Sequence, residues 1–205
     1  MFTGRKRRQQ ALPPAPLPGT ARVSSVKILG VTISSSLSVS QHVTNVVNSC
    51  AQTIYALRTL RAHGRKDSTL HMVYLSAIVA KLLYAASAWY GFSTADDRQR
   101  LEAVIWRGIR SKLCPTNQLT VRELVDDADE SLFTNILYSR NHILHQFLPQ
   151  RRNWPYDLRD RTHDRELIQK ETGLEKEFIT RMLFKDSYWQ NNCVSDWVNE
   201  RMNLD

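Results

Sequence analysis

Two aspartates side by side, Asp96 and Asp97 in Thr94-Ala95-Asp96-Asp97, are the first residues whose spacing suggests chemistry. Adjacent carboxylates on a tight turn between strands can hold a pair of Mg²⁺ ions. The residues that follow, Arg98 to Ile109, carry a helical period instead. The pair is therefore expected to cap a helix and complement its dipole. His142 and His145 stand three apart, close enough on a helix to share a metal. No Cys, Glu or third His lies at ligand spacing, so both read as solvated or core histidines. The chain contains no G-x-S-x-G, no P-loop and no G-x-G-x-x-G, and no serine or cysteine has an assigned base partner. No active site and no metal site is expected.

Cations are more informative than carboxylates. Arg58, Arg61 and Arg65 recur at spacings of three and four, which places them on one side of a helix end, and Lys66 extends them into the turn. Arg107, Arg110 and Lys112 would continue that ridge if their helix lay alongside. Such a patch offers phosphate contacts without reading bases. The alternative is a solvated basic face whose charges complement helix C-termini.

The elements that must carry these residues follow from apolar periodicity. Val26-Lys27-Ile28-Leu29-Gly30-Val31-Thr32-Ile33 is rich in β-branched residues and reads as one strand with a bulge or close approach at Gly30. It lacks an obvious partner and so offers an edge to another chain. Val39, Val43, Val46, Cys50, Ile54 and Leu57 mark one face of a helix over about 40–62, stopped by Gly64. A second helix is expected over about 69–91, capped by Asp67 or Ser68 and ended by Gly91. Met72 to Tyr90 within it carries Lys81 as its sole charge. That is nearly a membrane span in length, but the central lysine and flanks without clear charge asymmetry favour a buried bundle helix and no membrane. Thr94 with Asp97 starts a third helix, which ends near Pro115. Residues 120–129 suggest a short acidic helix, and Leu132, Ile136, Leu137, Ile143, Leu144 and Phe147 another, stopped at Pro149. Beyond it, 150–175 with Tyr156-Asp157-Leu158-Arg159 looks extended and draped over the bundle. Phe178, Ile179, Met182 and Leu183 suggest a short helix, and Val194, Trp197 and Val198 a terminal one.

Composition sets the wider bounds. The 205 residues are 42% hydrophobic and 23% charged, enough for a sizeable core, with a net charge of +8. Residues 1–22 hold five basic and no acidic groups, and residues 40–115 hold ten basic against four acidic. Residues 116–150 reverse the balance with two against five. An acidic partner such as nucleic acid follows from this concentration of charge. Cys50, Cys114 and Cys193 form an odd, widely spaced set, which points to a reducing intracellular compartment. The basic run Arg5-Lys6-Arg7-Arg8 precedes prolines rather than an apolar stretch, so it is not a secretory signal, and a nuclear destination stays open beside an ordinary basic tail.

Several of these segments, taken in order, resemble one family. Val26 to Ile33, Leu37-Ser38 and His42-Val43 look like the end of the reverse transcriptase domain of non-LTR (LINE-type, jockey-like) retrotransposons. Tyr55-Ala56-Leu57-Arg58-Thr59-Leu60-Arg61, Val73-Tyr74, Leu83-Tyr84-Ala85, Ala88-Trp89-Tyr90-Gly91 and Asp97-Arg98 through Leu101 are similar to its thumb and post-palm region. Arg152-Asn153, Tyr156 to Arg159, Arg161 and Phe178 to Leu183 resemble its C-terminal tail. Residues 29 to 66 also resemble a short segment labelled after the N-terminal region of an AlkB-type dioxygenase homologue. The two histidines and carboxylate by which such oxygenases hold Fe(II) are not recognisable here.

The expected elements make a mainly α-helical fold with a disordered leader (1–21), a short β element (22–36), a three-helix bundle (37–115), additional helices (116–149) and an extended tail with short helices (150–205). The retrotransposon resemblance implies that 22–36 is a palm-edge remnant and that 37–115 is thumb-like. It implies that Ile28, Leu29 and Gly30 match the primer grip, and that the fingers and catalytic palm with its Mg²⁺-binding aspartates would lie upstream of Arg22. The chain would then be a fragment without polymerase activity or cofactor. Its bundle would grip an RNA–DNA or other nucleic-acid duplex through Arg58, Arg61, Arg65 and Lys66, with Lys27 and Gly30 near the primer end. The competing expectation is a helical interaction module that packs on a separately encoded palm or another protein.

Overall fold

The computed structural model describes residues 18–151, 163–168 and 174–185. The leader (1–17), the Tyr156 to Arg159 alternation and the helix expected around Val194, Trp197 and Val198 lie outside the described residues. Among the described residues the chain is mainly helical, preceded by a short antiparallel hairpin.

The apolar run at 26–33 is two strands rather than one. β1 (Ser25–Ile28) and β2 (Val31–Ser34) pair antiparallel, with Ile28 opposite Val31 and Ser25 opposite Ser34. Leu29 (φ 47°) and Gly30 (φ 88°) form the two-residue connection. Positive φ at both positions is the turn whose twist matches a hairpin, so Gly30 is a turn residue and not a bulge. The hairpin leans on the bundle through one face: Val31 is buried and Ile33 packs behind it, while all of β1 is exposed.

α1 (Ser40–Ala62) forms as its period requires, burying Val43, Val46, Val47, Cys50, Ile54 and Leu57. It closes in a Schellman arrangement around Gly64 (φ 81°), in which Arg65 N–H reaches the Leu60 carbonyl and Gly64 N–H that of Arg61. The next apolar stretch departs from a single continuous helix. α2 (Asp67–Tyr74) widens into a π turn (Leu75–Val79), resumes as α3 (Ala80–Leu83) and breaks at Ala85, which is left-handed at φ 51°. α4 (Ala86–Trp89) and a 3₁₀ turn (Tyr90–Phe92) follow. The break answers a buried donor. The Trp89 indole, packed edge-on against His42 at 5.0 Å, takes the freed Tyr84 carbonyl at 2.9 Å. The stretch Asp67–Phe92 is long and apolar enough to span a bilayer by composition, yet only 33% of its most apolar window is buried. Tyr74, Ile78 and Leu82 face the core while Met72, Val73, Leu75 and Tyr84 are exposed, so the stretch is buried on one side rather than all round as a bundle-core helix would be.

α5 (Ala95–Arg110) begins with the Thr94/Asp97 capping box, and α6 (Val121–Tyr138) with a second box formed by Thr120 and Glu123. α6 replaces the two helices expected over 120–147, and a 3₁₀ turn (Ile143–Phe147) follows it. Its apolar stripe, Val121, Val125, Phe133 and Ile136, is interrupted by Asp129, which is buried and paired with Arg181 of α7 (Phe178–Phe184). Val121 and Val125 join the core shared by α1, α2, α3 and α5, so the bundle does not end at Pro115. A second, smaller core gathers Phe133, Met182 and Leu183 with Leu148, Leu167 and Phe178. Arg151 and Arg165 form an isolated antiparallel bridge beside it.

Candidate functional site

α1 and α5 run parallel. At their first turns the Ser40 hydroxyl donates to Asp97, and one turn on the Arg100 guanidinium reaches the Thr44 hydroxyl at 3.1 Å. At their last turns Arg61 of α1 donates to the Ser111 carbonyl and, at 3.0 Å, to that of Lys112. α5 closes as α1 does, with Leu113 N–H on the Gly108 carbonyl and Lys112 N–H on that of Ile109. The left-handed residue is here Lys112 (φ 54°) instead of glycine.

Between the two C-terminal halves opens a cleft of about 770 Å³. Arg58 and Tyr55 line it from α1, Arg107 and Arg110 from α5, and Arg61, Ser111 and Lys112 close its end over a floor of Ala51 and Ile54. The cations expected on two separate helices therefore meet, because the helices lie side by side. Among the described residues the lining holds five cations and no carboxylate. Two parallel helix C-termini account for part of this, since each carries about −0.5 charge. A total of about −1 leaves most of the positive charge uncompensated. Arg61 is the cation held by the carbonyls, whereas Arg58, Arg107, Arg110 and Lys112 are exposed.

The other proposed contact residues are dispersed. Arg65 and Lys66 are exposed in the α1–α2 turn and do not line the cleft. Lys27 and Gly30 border a different cleft, of about 650 Å³, with Thr32, His42, Asn45, Ser49, Lys81 and Tyr84. His42, Asn45, Val46 and Ser49 occupy nearly the opposite flank of α1 from Ala51, Tyr55 and Arg58 at 3.6 residues per turn. One continuous contact surface running from Lys27 to Arg58 on a single helix face is thus not formed. Ile28 and Leu29 are exposed at the hairpin tip, where the Tyr84 hydroxyl donates to the Leu29 carbonyl at 3.0 Å. In this second cleft Lys81 donates to Ser49 Oγ at 2.6 Å. Burial, reinforced by the charge of Lys27, lowers the His42 pKa from its ordinary value.

Sequence reasoning passed over Tyr55. It is 73% exposed and one residue off the apolar stripe of α1, and the sequence offers it only as the head of the Tyr55 to Arg61 run, not as a contact residue.

The carboxylate and histidine pairs are committed to structure. Asp97 is buried, accepts from Ser40 and from both the backbone and hydroxyl of Thr94, and faces Arg100, while Asp96 points to solvent. This arrangement suits a helix cap and not a pair of metal ions. His142 and His145 are not on an α-helix: His142 caps the 3₁₀ turn through Leu144 N–H, and His145 donates to the Ile136 carbonyl at 2.7 Å. Among the described residues no group of three or more His, Cys, Asp or Glu side chains is placed to hold a metal. The thiols of Cys50 and Cys114 are unpaired and buried, and burial pushes the Cys50 pKa up to about 11 despite nearby Lys81. Neither is an activated nucleophile.

Compared with protein-family models, curated proteins and solved structures, the chain gives no match.

Proposed function

We propose that this protein binds an RNA–DNA or similar nucleic-acid duplex through its phosphates, as the thumb-like region of a LINE-type reverse transcriptase. In this reading α1, the α2–α3 segment and α5 are the three thumb helices, and their basic faces hold the duplex. The observation that carries the proposal is the α1–α5 cleft, whose positive charge exceeds what two helix ends can neutralise. The resemblance of the motifs from Val26 to Leu101, in order, supports the same reading.

Arg58, Arg107, Arg110 and Lys112 are the principal phosphate contacts, with Arg65 and Lys66 extending the surface beyond the cleft. Lys27 and Gly30 act on a separate flank, near the end of the bound strand. In this reading Mg²⁺ chemistry belongs to a catalytic palm and not to this cleft, where among the described residues no metal-holding carboxylate cluster lies. The test is Arg58→Glu, Arg107→Glu and Arg110→Glu combined in the full chain, titrated against a blunt RNA–DNA hybrid. Affinity should fall more than about tenfold near 0.1 M salt, and the salt slope should shrink by about 0.9 for each phosphate no longer neutralised. An unchanged isotherm at low salt removes the proposal.

A second reading rests on the hairpin. Among the described residues β1 pairs with β2 alone, and its other edge, with Val26 and Ile28 exposed beside the Leu29 turn, is a template for strand addition by a separately encoded palm or another protein. It predicts that the triple reversal leaves partner binding intact while a proline at Lys27 on β1 abolishes it.

A further inference from the structure

A double helix is too broad to enter the α1–α5 cleft, whose volume of about 770 Å³ falls among pockets that take a single small ligand. Only the exposed cations at its mouth and end, Arg58, Arg107, Arg110 and Lys112, can meet duplex phosphates. Yet the interior is shaped for something narrower. Its floor is uncharged and small at Ala51, its α1 wall presents the Tyr55 ring 73% exposed, and Arg58 stands one turn beyond Tyr55 on the same row. Among the described residues Tyr55 takes no part in the buried core. A flat aromatic surface flanked by guanidinium groups is the combination that binds single-stranded nucleic acid, base on ring and phosphate on cation.

We infer that the α1–α5 cleft receives a single-stranded extension of the bound nucleic acid, with one base stacked on Tyr55 and its flanking phosphates held by Arg58, Arg107 and Arg110. This rests on the nucleic-acid reading above and adds what enters the cleft itself. Stacking on a phenol ring uses only the π-face that every base has, so the site accepts any sequence. Lys112 and Ser111 close the far end, which limits the bound segment to about one or two nucleotides at the volume of an ordinary small-ligand pocket. Trp106, 60% exposed and four residues before Arg110, neighbours Arg110 on the surface of α5.

The experiment titrates the full chain with two fluorescent RNA–DNA hybrids, one blunt and one carrying a short single-stranded DNA extension. The extended hybrid should bind about tenfold tighter, the order of one base–aromatic stack. Tyr55→Ala should erase that preference while leaving blunt-hybrid affinity and the melting temperature unchanged, and Tyr55→Phe should keep it. Equal binding of the two hybrids, or a preference that survives Tyr55→Ala, overturns the inference. Loss of the duplex reading is seen separately, as blunt-hybrid binding that ignores reversal of Arg58, Arg107 and Arg110.

Discussion

The hydroxyl of Ser40 donates a 2.7 Å hydrogen bond to Oδ2 of Asp97, joining the first turns of α1 and α5 across 57 residues of sequence. The same oxygen accepts from Thr94 N–H at 3.2 Å and from the Thr94 hydroxyl at 2.8 Å, and Arg100 lies 3.6 Å from the other oxygen. The helix cap and the parallel alignment of the two helices are thus one interaction. Because alignment at the first turns brings the last turns together, the cleft near Arg58 depends on a carboxylate at the far end of the same helix pair.

That dependence has a pH signature. Burial on its own raises the Asp97 pKa, but the hydrogen bonds from Ser40 and Thr94, with the charge of Arg100, outweigh it and hold the carboxyl below its ordinary value of 3.8. A group whose pKa is depressed by folding stabilises the fold above its unfolded pKa and loses that contribution as pH falls through the folded one. Asp97→Asn should therefore cost about 1–2 kcal/mol at pH 7, the scale of a lost cap and charged hydrogen bond. The gap between variant and wild type should close below pH 3.8. Urea unfolding at a series of pH values measures this, and a gap constant down to pH 3 would contradict it.

Arg58 and Arg61 are three residues apart on α1 but should respond in opposite ways to substitution. Arg61 holds the Ser111 and Lys112 carbonyls, so Arg61→Ala should lower stability by about 1–2 kcal/mol through the missing hydrogen bonds. Arg58 is exposed at the rim, so Arg58→Ala should leave the melting temperature within a degree or so and weaken hybrid binding instead. Equal effects of the two on melting would mean that the cleft's cations are not divided between structure and binding.

Lys112 places a long cationic side chain at a left-handed position, φ 54°, which helix ends usually give to glycine. The strain is about 1 kcal/mol for a residue with a Cβ. Lys112→Gly should raise stability by roughly that amount while reducing hybrid affinity several-fold, since one cleft cation goes. Gly64 offers the control. It occupies the equivalent site after α1 at φ 81°, and a Cβ there would meet nothing within 4 Å, so Gly64→Lys should destabilise by a similar amount through backbone strain alone. Parallel denaturation and anisotropy curves separate the two effects, and a Lys112→Gly protein that gains no stability would show that the left-handed position carries no strain.

Elements with uninterrupted local signals are legible in the sequence alone. α1 follows from Val39 to Leu57 and Gly64, and α5 from Thr94 and Asp97, because stripe and cap are encoded within one or two turns. The misreadings fall where a distant residue decides. The Tyr84–Ala85 break depends on Trp89 needing an acceptor beside His42, and the continuity of α6 depends on a partner for Asp129. In the sequence Asp129 looks like part of an acidic surface run, since nothing nearby reveals Arg181 fifty-two residues on. The cleft is half legible: spacing gives its cations, but their meeting requires the parallel packing of α1 on α5, and Tyr55 carries no pattern of its own.

The pairing of Asp129 with Arg181 leads to a last expectation. Asp129 is 3% exposed and Arg181 26%, so removing either leaves a largely buried charge without its counterpart. Breaking such a pair from one side costs about 3 kcal/mol, while replacing both partners with apolar residues of similar size is near neutral. Asp129→Ala should therefore release α7, seen as faster amide exchange across Phe178–Phe184 and a lower melting temperature. Asp129→Leu combined with Arg181→Met should restore both. Phe133 of α6 and Met182 and Leu183 of α7 form the second core between the same two helices, which gives the apolar replacements neighbours to pack on. Because the pair joins α6 to α7 and not α1 to α5, hybrid binding should be the same in wild type and both variants. A double variant as labile as Asp129→Ala would show that the charges themselves, and not the packing they permit, hold α7 in place.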